Sequence, residues 1–291
     1  MEPMKEPRDD DLKVLPRGSS VADVIRAREL LWNLTLRDLR GRYRRSTLGW
    51  AWSLVTPLAT ILIFTLVFRY VLRIPVPAGD PSGLESFALY LVCGLISWNF
   101  IANSVNGSMD VLIGNGNLIK RVYFPRATLV IASVGSATVT LGVELSVLGV
   151  VLLVVGSPFL PLLPILVLVI AFQAAFVLGL ALALSVANVY FRDLQYVVAI
   201  LLQLGFYAAP IIYPVSLVPE RAVVAGLEIP VATLYHLNPA VRFVEAYRDI
   251  LYDGRIPPAT TFAALVLSAV LALGLGILVF RKLEIRLAEE L

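Results

Sequence analysis

The sequence is poor in the residues that most enzymes use for chemistry. It has one cysteine and one histidine in 291 positions, and charged residues make up only 15% of the chain. Cys93 alone cannot form a disulfide within the chain or a cysteine metal cluster. No Cys, Asp or Glu lies beside His236 at metal-ligand spacing, and the Gly-x-Ser-x-Gly motif of many hydrolases is absent. A capping or interface role for His236 is therefore favoured over metal binding or hydrolysis.

A nucleotide-binding loop is also missing from the sequence. The motif G-x-x-x-x-G-K-[ST] does not occur, so the usual route of nucleotide hydrolysis is closed to this chain. The stretch Gly114-Asn115-Gly116-Asn117 looks superficially like a phosphate cradle, but no Lys-Ser/Thr pair follows it, and we interpret it as a turn. If ATP drives transport here, a separate subunit must bind the ATP and its magnesium. No cofactor is expected in this chain.

Apolar residues, in contrast, are abundant. They make up 58% of the sequence, and the mean hydropathy is +0.83, well beyond an ordinary soluble domain. Six apolar runs can be drawn, each near the roughly 20 residues that a spanning helix needs. We therefore predict an all-α polytopic membrane protein with six transmembrane helices in residues 50–291. The runs are Trp50–Leu72, Phe87–Met109, Ala127–Val155, Leu163–Ala187, Tyr196–Tyr213 and Thr261–Phe280.

Basic residues predict how these spans are oriented. With the N-terminus inside, the inner segments carry 18 of the 24 Lys and Arg residues, which puts both termini in the cytoplasm. The net charge of +3 could suggest nucleic acid, but the positive charge is concentrated beside apolar runs. Nucleic-acid binding is therefore not expected.

The N-terminal region has two parts. Residues 1–18 are charged and punctuated by proline, which predicts disorder, and residues 19–49 are predicted to form a cytoplasmic amphipathic helix. Its apolar stripe and its arginines fall largely on different faces. The stripe comprises Val21, Ile25, Trp32, Leu36, Leu39 and Tyr43, and the arginine cluster comprises Arg37, Arg40, Arg42, Arg44 and Arg45.

The segment 214–260, between the fifth and sixth runs, is too long for a plain loop. Prolines break it into pieces, and Asn238 to Tyr252 has an amphipathic pattern that begins with an Asn238 cap and a first-turn Pro239. Short helices that lie at or dip into the outer leaflet fit this pattern better than an independent domain.

Two features inside the predicted bundle have alternative interpretations. Glu144 is the one acidic residue well inside a span, where a charge costs about 2.5–3.5 kcal/mol. It is either functional or a hydrogen-bonded helix contact near the small residues Gly135, Gly142 and Gly149. The inner segment 110–126 is either an ordinary positive loop or a short helix that docks on a partner. The physical pattern alone favours the loop.

Aromatic residues recur in the predicted outer half of the membrane. Interfacial belts explain many of them, whereas flat rings that face a conduit could stack on sugars. Trp98 and Phe206 lie deeper than the belt and, with the adjacent Tyr207, are the candidates for such a conduit.

Five blocks of the sequence resemble the membrane subunits of ABC-2-type polysaccharide exporters, the family of O-antigen, teichoic acid and related cell-envelope glycan transporters. The resemblance runs from about Val21 to the C-terminus, with the blocks in the same order. They are RDLRGRYRRSTLGWAWSLVTPL (37–58), GNGNLIKRVYFPR (114–126), NVYFRDLQYVV (188–198), APIIYP (209–214) and LNPAVRFVEAYRDIL (237–251).

The resemblance implies a homodimer of six-span subunits with two cytoplasmic ATP-binding subunits, moving a lipopolysaccharide-type glycan linked through pyrophosphate to a polyprenyl carrier. The helix Val21–Arg45 resembles the family's interface helix and Asp110–Tyr123 its coupling helix, which reverses the preference for a plain loop. Segment 214–260 resembles the gate region. The implied coupling residues are Asn115, Asn117, Leu118, Lys120, Arg121 and Tyr123, and the implied gate residues are Asn238, Pro239 and Arg248.

A mechanism can be suggested on that basis. Arginines suit phosphate because their bonds to it are charge-assisted. A basic collar would attract the pyrophosphate at the inner leaflet, and aromatic walls would line the path of the glycan. The candidate collar residues are Arg37, Arg40, Arg44, Lys120, Arg121 and Arg192, and the candidate wall residues are Trp98, Phe206 and Tyr207.

Three competing functions remain open. An ABC-2 permease for a drug or another lipid would have the same sequence features. A membrane enzyme acting on polyprenyl-linked sugars would need clustered Asp, Glu or His at one membrane face, and Glu144 with His236 fall short of that. A secondary transporter would show broken helices, paired charges and inverted repeats, which we do not find.

Overall fold

The computed structural model describes residues 23, 26–43, 52–71, 78–122, 124–224, 227–285 and 287–290. Helix α1 covers Arg28–Tyr43, and α2 covers Trp52–Phe64 and continues as a π-helix over Thr65–Val71. The predicted disordered N-terminus, residues 1–18, lies outside the described residues, as does part of the predicted helix 19–49.

The rest of the chain is almost entirely helical. In order it forms α3 (Phe87–Met109), α4 (Val111–Gly114), α5 (Gly116–Arg121), α6 (Ala127–Val155), α7 (Leu163–Tyr190), α8 (Leu194–Ala208), α9 (Val231–Leu237), α10 (Pro239–Arg248), α11 (Ala259–Glu284) and α12 (Leu287–Glu290). A second π-helix, Asp249–Asp253, follows α10 directly, and single 3-10 turns cover Leu160–Leu162 and Val215–Leu217. Helical structure is confirmed for the bundle. The short antiparallel strands β1 (Ala222–Val224) and β2 (Leu227–Ile229) are an addition that the sequence did not indicate.

Four of the predicted runs are helices long and apolar enough to cross a membrane: Phe87–Met109, Ala127–Val155, Leu160–Tyr190 and Ala259–Glu284. The other two runs form shorter apolar helices within the described residues, Val55–Phe68 and Leu194–Ala208. The 15 residues of α8 extend over only about 22 Å, less than the roughly 30 Å of a bilayer core. Four long apolar helices show that the chain is a membrane protein.

Helix α3 lies at the centre of the bundle, packed against α2, α6, α7, α8 and α10. Most of its residues are buried, including Cys93, which is fully buried. Helices α7 and α11 pack closely along each other, because Gly179 and Gly276 face each other with no side chain between them. A Cβ at Gly179 would collide with the backbone of Ala272. The glycines near Glu144 that were predicted to allow close helix packing contribute less to it. Gly135 faces Thr35 of α1, and a Cβ at Gly142 would meet nothing within 4 Å.

The bundle has two ends, which we name after one arginine each. The Arg37 end carries α1, α4, α5 and the C-terminal residues of α7 and α11. The Arg255 end carries the loop 78–86, the turn at Gly156 and the segment 209–255. Gly156 ends α6 with a left-handed φ of 88°, and the Ser157 N–H donates to the Leu152 carbonyl, which closes the helix.

Candidate functional site at the Arg37 end

A cleft of about 390 Å³ opens between α1, α3, α4 and α6 at the Arg37 end. Most of its lining side chains are small or polar, so the walls leave space and offer hydroxyl groups. The lining residues are Arg37, Asp38, Gly41, Gly107, Val111, Ser133 and Ser136. Helix α1 reaches this position because Leu34, Thr35 and Leu39 are buried in its contact with α6.

Arg37 connects the cleft to the predicted coupling segment. Its Nη2 donates a hydrogen bond to Asn115 Oδ1 at 3.1 Å and lies 3.6 Å from the carboxylate of Asp38. The Arg37 side chain is 51% exposed, so water competes for these contacts. Asn115 separates α4 from α5, and its Nδ2 donates to the Val111 carbonyl at 2.8 Å. The interpretation of 114–117 as a turn holds only for Asn115, because Gly114 ends α4 and Gly116 and Asn117 begin α5.

The structure brings only part of the predicted basic collar to the cleft. Arg37 lines it, whereas Arg40, Lys120, Arg121 and Arg192 are exposed and are not among its lining residues in the described part of the chain. Of the predicted coupling residues, Asn117 is exposed and Leu118 is half-buried. Arg44 and Tyr123 lie outside the described residues.

Within the described residues, the predicted apolar stripe of α1 is only partly turned toward the bundle. Trp32 is 63% exposed, although Leu39 of the same stripe is buried. The buried face is centred on Leu34 and Thr35, about a quarter-turn away, and Gly135 of α6 provides the space for Thr35.

The three aromatic residues predicted for a conduit form a continuous row. The rings of Trp98 and Phe206 are 6.3 Å apart and edge-on, and those of Phe206 and Tyr207 are 5.3 Å apart and edge-on. Trp98 is buried because it packs on Gly205, while Tyr207 is 63% exposed. The row therefore leads from the interior of the bundle to its surface.

The predicted gate residues lie at the Arg255 end. The Asn238 side chain accepts from the Ala240 N–H at 3.0 Å and Pro239 is the first residue of α10, so the expected cap is present. Arg248 is buried, 5% exposed, at the other end of the same helix. Its guanidinium donates to the carbonyls of Tyr90, Pro210 and Ile211 and lies 3.7 Å above the Tyr90 ring.

Further contacts join the loops of the Arg255 end. The hydroxyl of Tyr252 donates to the Leu84 carbonyl at 2.7 Å, and Ser82 Oγ donates to the Tyr252 carbonyl at 2.5 Å. Arg255 Nη2 lies 2.6 Å from Asp249 and 3.1 Å from Asp253. Burial raises the pKa of Asp249, while Arg255 opposes that rise.

His236 lies in a small charged group at this end. Its Nδ1 is 3.8 Å from Glu245 Oε2, and Arg242 lies 3.5 Å from the same carboxylate oxygen. Burial first, and then the positive charge of Arg242, lower the pKa of His236, whereas burial raises the pKa of Glu245. In the described part of the chain no three His, Cys, Asp or Glu side chains are grouped to hold a metal ion.

Several polar contacts between helices were missed by the sequence reasoning. Gln173 of α7 donates to both the carbonyl and the hydroxyl of Ser97 in α3, and Asn188 donates to the Met109 carbonyl where α3 ends. Tyr190 and Arg126 donate to the last carbonyls of α11, at Leu283 and Glu284. A polar side chain within a long apolar run was the available signal for Gln173, because such residues usually bond to a neighbouring helix.

Taken together, the described residues define a helical membrane protein with a polar cleft at one end and a tightly joined set of loops at the other. Comparison with known proteins identifies its family. Residues 29–252 match the family model of the ABC-2 type transporter. Because this match covers well over half of the chain, the protein belongs to the ABC-2 transporter membrane family.

Individual relatives match almost end to end. The chain is 30% identical over 278 residues to the O-antigen export system permease protein RfbA of Myxococcus xanthus, covering 93% of this chain and 98% of that protein. It is 28% identical over 264 residues to a protein of the same name from Klebsiella pneumoniae, covering 90% and 95%. It is 24% identical over 255 residues to the polysialic acid transport protein KpsM of Escherichia coli, covering 86% and 92%.

Proposed function

We propose that this chain is the transmembrane subunit of an ATP-driven exporter that moves a polyprenyl-pyrophosphate-linked polysaccharide across the bacterial inner membrane. The observation that carries the proposal is the match over 90% or more of both chains to permeases named for O-antigen export. The relative named for polysialic acid transport supports a glycan cargo independently. Under this proposal the two shorter apolar helices complete six spans, and both termini are cytoplasmic.

ATP and magnesium bind to a separate subunit in this proposal, and two such subunits act on a homodimer of this chain. The family match supports the division of labour, because it assigns the chain to the membrane component of an ABC-type transporter. Helices α4 and α5 dock on the ATP-binding subunit through Asn117, Lys120 and Arg121, which are exposed and therefore accessible.

The cargo enters at the Arg37 end and leaves at the Arg255 end. Arg37, Arg40 and Arg192 attract the pyrophosphate, since arginine bonds to phosphate are charge-assisted and frequently paired. The row from Trp98 to Tyr207 offers ring faces that stack on sugars without demanding one stereochemistry. Asn238, Pro239 and Arg248 place α10 as a gate at the outer side.

The test is reconstitution of the full chain with its ATP-binding subunit in proteoliposomes. We expect a lipid-linked polysaccharide to stimulate ATP hydrolysis and to reach the opposite leaflet in an ATP-dependent way. Replacing Arg37, Arg40 and Arg192 together by Gln should lower export severalfold while the homodimer still assembles. The control is Arg221→Gln, because Arg221 lies next to the β-hairpin, far along the chain from the collar, and pairs only loosely with Glu228 at 3.3 Å.

Two results would contradict the proposal. Stimulation by an unrelated lipid or drug, with no response to a lipid-linked glycan, would assign the chain to another ABC-2 cargo. Full export by the triple variant would remove the basic collar from the mechanism, although it would leave the glycan cargo intact.

A further inference from the structure

One side chain belongs to both the cleft and the coupling segment. Arg37 lines the cleft, and its Nη2 also holds the Asn115 amide oxygen at 3.1 Å. Val111, at the start of α4, likewise lines the cleft and accepts from Asn115 Nδ2. A ligand that enters the cleft therefore meets the group that fixes the segment docking on the ATP-binding subunit.

Asn115 is placed to act as a hinge. Its amide nitrogen bonds back to α4 at Val111, and its backbone carbonyl accepts from the N–H groups of Leu118 and Ile119 in α5. The remaining side-chain oxygen reaches Arg37 on α1. Among the described residues, the hydrogen bond from Arg37 to Asn115, between half-exposed groups, is the side-chain hydrogen bond that joins these short helices to α1. A competing anion can replace a contact of this kind.

We propose that the cleft binds a phosphate group of a membrane lipid, and that Arg37 turns from Asn115 to this phosphate and so releases the hinge. A phosphate competes well because guanidinium–phosphate bonds are charge-assisted and two-pronged, whereas the bond to Asn115 is single and to a neutral amide. The cleft volume of about 390 Å³ lies within the range of small-ligand sites. Gly41 and Gly107 leave space there, and Ser133 and Ser136 supply hydroxyl groups.

Asp38 works against the anion. Its carboxylate also lines the cleft and lies 3.6 Å from Arg37 Nη2, so a phosphate must displace it as well as Asn115. Without phosphate, Arg37 therefore stays in contact with both Asn115 and Asp38. This competition weakens binding of the phosphate, and it provides a variant, at Asp38, that should tighten binding.

The inference deepens the proposed function and rests on it for its consequence. With Asn115 released, α4 and α5 can move against α1, and the ATP-binding subunit receives a signal that the cleft is occupied. Hydrolysis in the absence of lipid phosphate is then low, and it rises when the cleft fills.

Hydrogen exchange tests the release directly, without any transport. The full complex is placed in nanodiscs of a phosphate-free galactolipid, and amide exchange in residues 116–121 is followed by mass spectrometry. Adding polyprenyl diphosphate should accelerate exchange there severalfold. Arg37→Ala should exchange fast with or without the lipid, and Arg28→Ala, an exposed arginine on the same helix, should respond like the native protein. Asp38→Asn should respond at a severalfold lower lipid concentration.

Comparing two lipids shows whether the phosphate comes from the polyprenyl carrier or from membrane headgroups. A response to polyprenyl diphosphate but not to phosphatidylglycerol assigns the cleft to the carrier of the cargo. A response to both assigns it to membrane headgroups in general. No response to either, or an equal response in Arg37→Ala, overturns the proposal.

ATP hydrolysis supplies the second readout. Asn115→Ala should raise the basal rate of ATP hydrolysis toward the stimulated rate, so that lipid stimulates it no further. If this variant instead kept a low basal rate and full stimulation by lipid, Asn115 would not act as the hinge. Failure of the proposed function looks different: a lipid-linked glycan would neither stimulate nor be exported, while polyprenyl diphosphate would still accelerate exchange in 116–121.

Discussion

The two ends of the bundle are built from opposite kinds of contact. At the Arg255 end the groups that join distant segments are buried: Arg248 is 5% exposed and Tyr252 is 1% exposed, and both bond to carbonyls of other segments. The half-exposed Arg255 there pairs with Asp249 and Asp253 of its own segment. At the Arg37 end the connecting arginine is half-exposed and makes one hydrogen bond to a neutral amide beside an open cleft. Buried bonds without competing water hold a shape, whereas exposed ones can be exchanged for a ligand.

The difference fits the proposed direction of transport. A site that recognises cargo and reports to an ATP-binding subunit must change its contacts at low cost, and the Arg37 end can do so. At the Arg255 end, the guanidinium of Arg248 holds α10 against α3 and the segment 209–211. These three elements are therefore expected to move as one unit. Opening there is expected to be a displacement of the whole set of loops.

Removal of the buried arginine should have the largest effect. Arg248→Met keeps the length of the side chain but leaves the carbonyls of Tyr90, Pro210 and Ile211 without their donor. Each buried unpaired group costs about 1–3 kcal/mol, so a loss of about 3 kcal/mol or more is expected even after the charge itself is removed. The melting temperature of the purified protein in detergent measures this loss.

The matched control for that variant is Arg221→Met. Its side chain is 75% exposed, and its partner Glu228 is 69% exposed, so the change should be within about 0.5 kcal/mol. Equal melting temperatures for both variants would show that Arg248 is not the centre of the Arg255 end.

A smaller effect is expected when one loop contact is cut. Tyr252→Phe removes only the hydroxyl that donates to the Leu84 carbonyl at 2.7 Å, and the ring stays in place. Loss of a buried neutral hydrogen bond should cost about 1–2 kcal/mol. Tyr196→Phe is the control, because Tyr196 is 66% exposed. A Tyr252→Phe protein as stable as that control would mean that the Tyr252 hydroxyl does not help to hold loop 78–86.

The Arg37 end should respond in function and hardly at all in stability. Arg37→Met removes one hydrogen bond and a loose ion pair, both half-exposed, so the free energy of unfolding should change by less than about 0.5 kcal/mol. Export should still fall severalfold, and lipid should no longer stimulate hydrolysis, because the bond that holds Asn115 is already absent in this variant. A loss of stability as large as that of Arg248→Met would erase the distinction between the two ends.

The sequence predicted four long apolar helices well and the contacts between helices poorly, for a physical reason. A helix in a bilayer needs about 20 apolar residues in one stretch, so the predicted run Phe87–Met109 and helix α3 have identical bounds. The cap at Asn238 and Pro239 is equally local, and it was predicted. Arg248 is a charged residue in the stretch predicted to be amphipathic, yet it is buried, because its carbonyl partners come from distant segments.

The same limit applies to the candidate site. Arg37 could be singled out by its charge and by its position before an apolar run. The cleft beside it could not, since Gly41, Gly107 and Ser133 belong to three helices that meet only in the folded protein. The hydrogen bond from Arg37 to Asn115 likewise joins two blocks that the sequence analysis treated as separate elements.

The smallest effect concerns pH at the Arg255 end. Burial raises the pKa of Glu245 in the folded protein, so the folded state binds its proton more tightly than the unfolded state does. The native protein therefore loses stability as pH rises from the unfolded pKa of Glu245 through its raised folded pKa, and it keeps that stability at lower pH.

Glu245→Gln carries no such charge, so its melting temperature relative to the native protein should increase as pH rises from about 4 to 8. The neighbouring groups that also titrate are His236, Asp249 and Asp253, and they are unchanged in both proteins, so the difference isolates Glu245. Glu228→Gln is the control, because the Glu228 side chain is 69% exposed and lies outside the charged group around His236. If the difference for Glu245→Gln fell with rising pH, the ion pair with Arg242 would outweigh burial, and the Arg255 end would depend on exchangeable charges as the Arg37 end does.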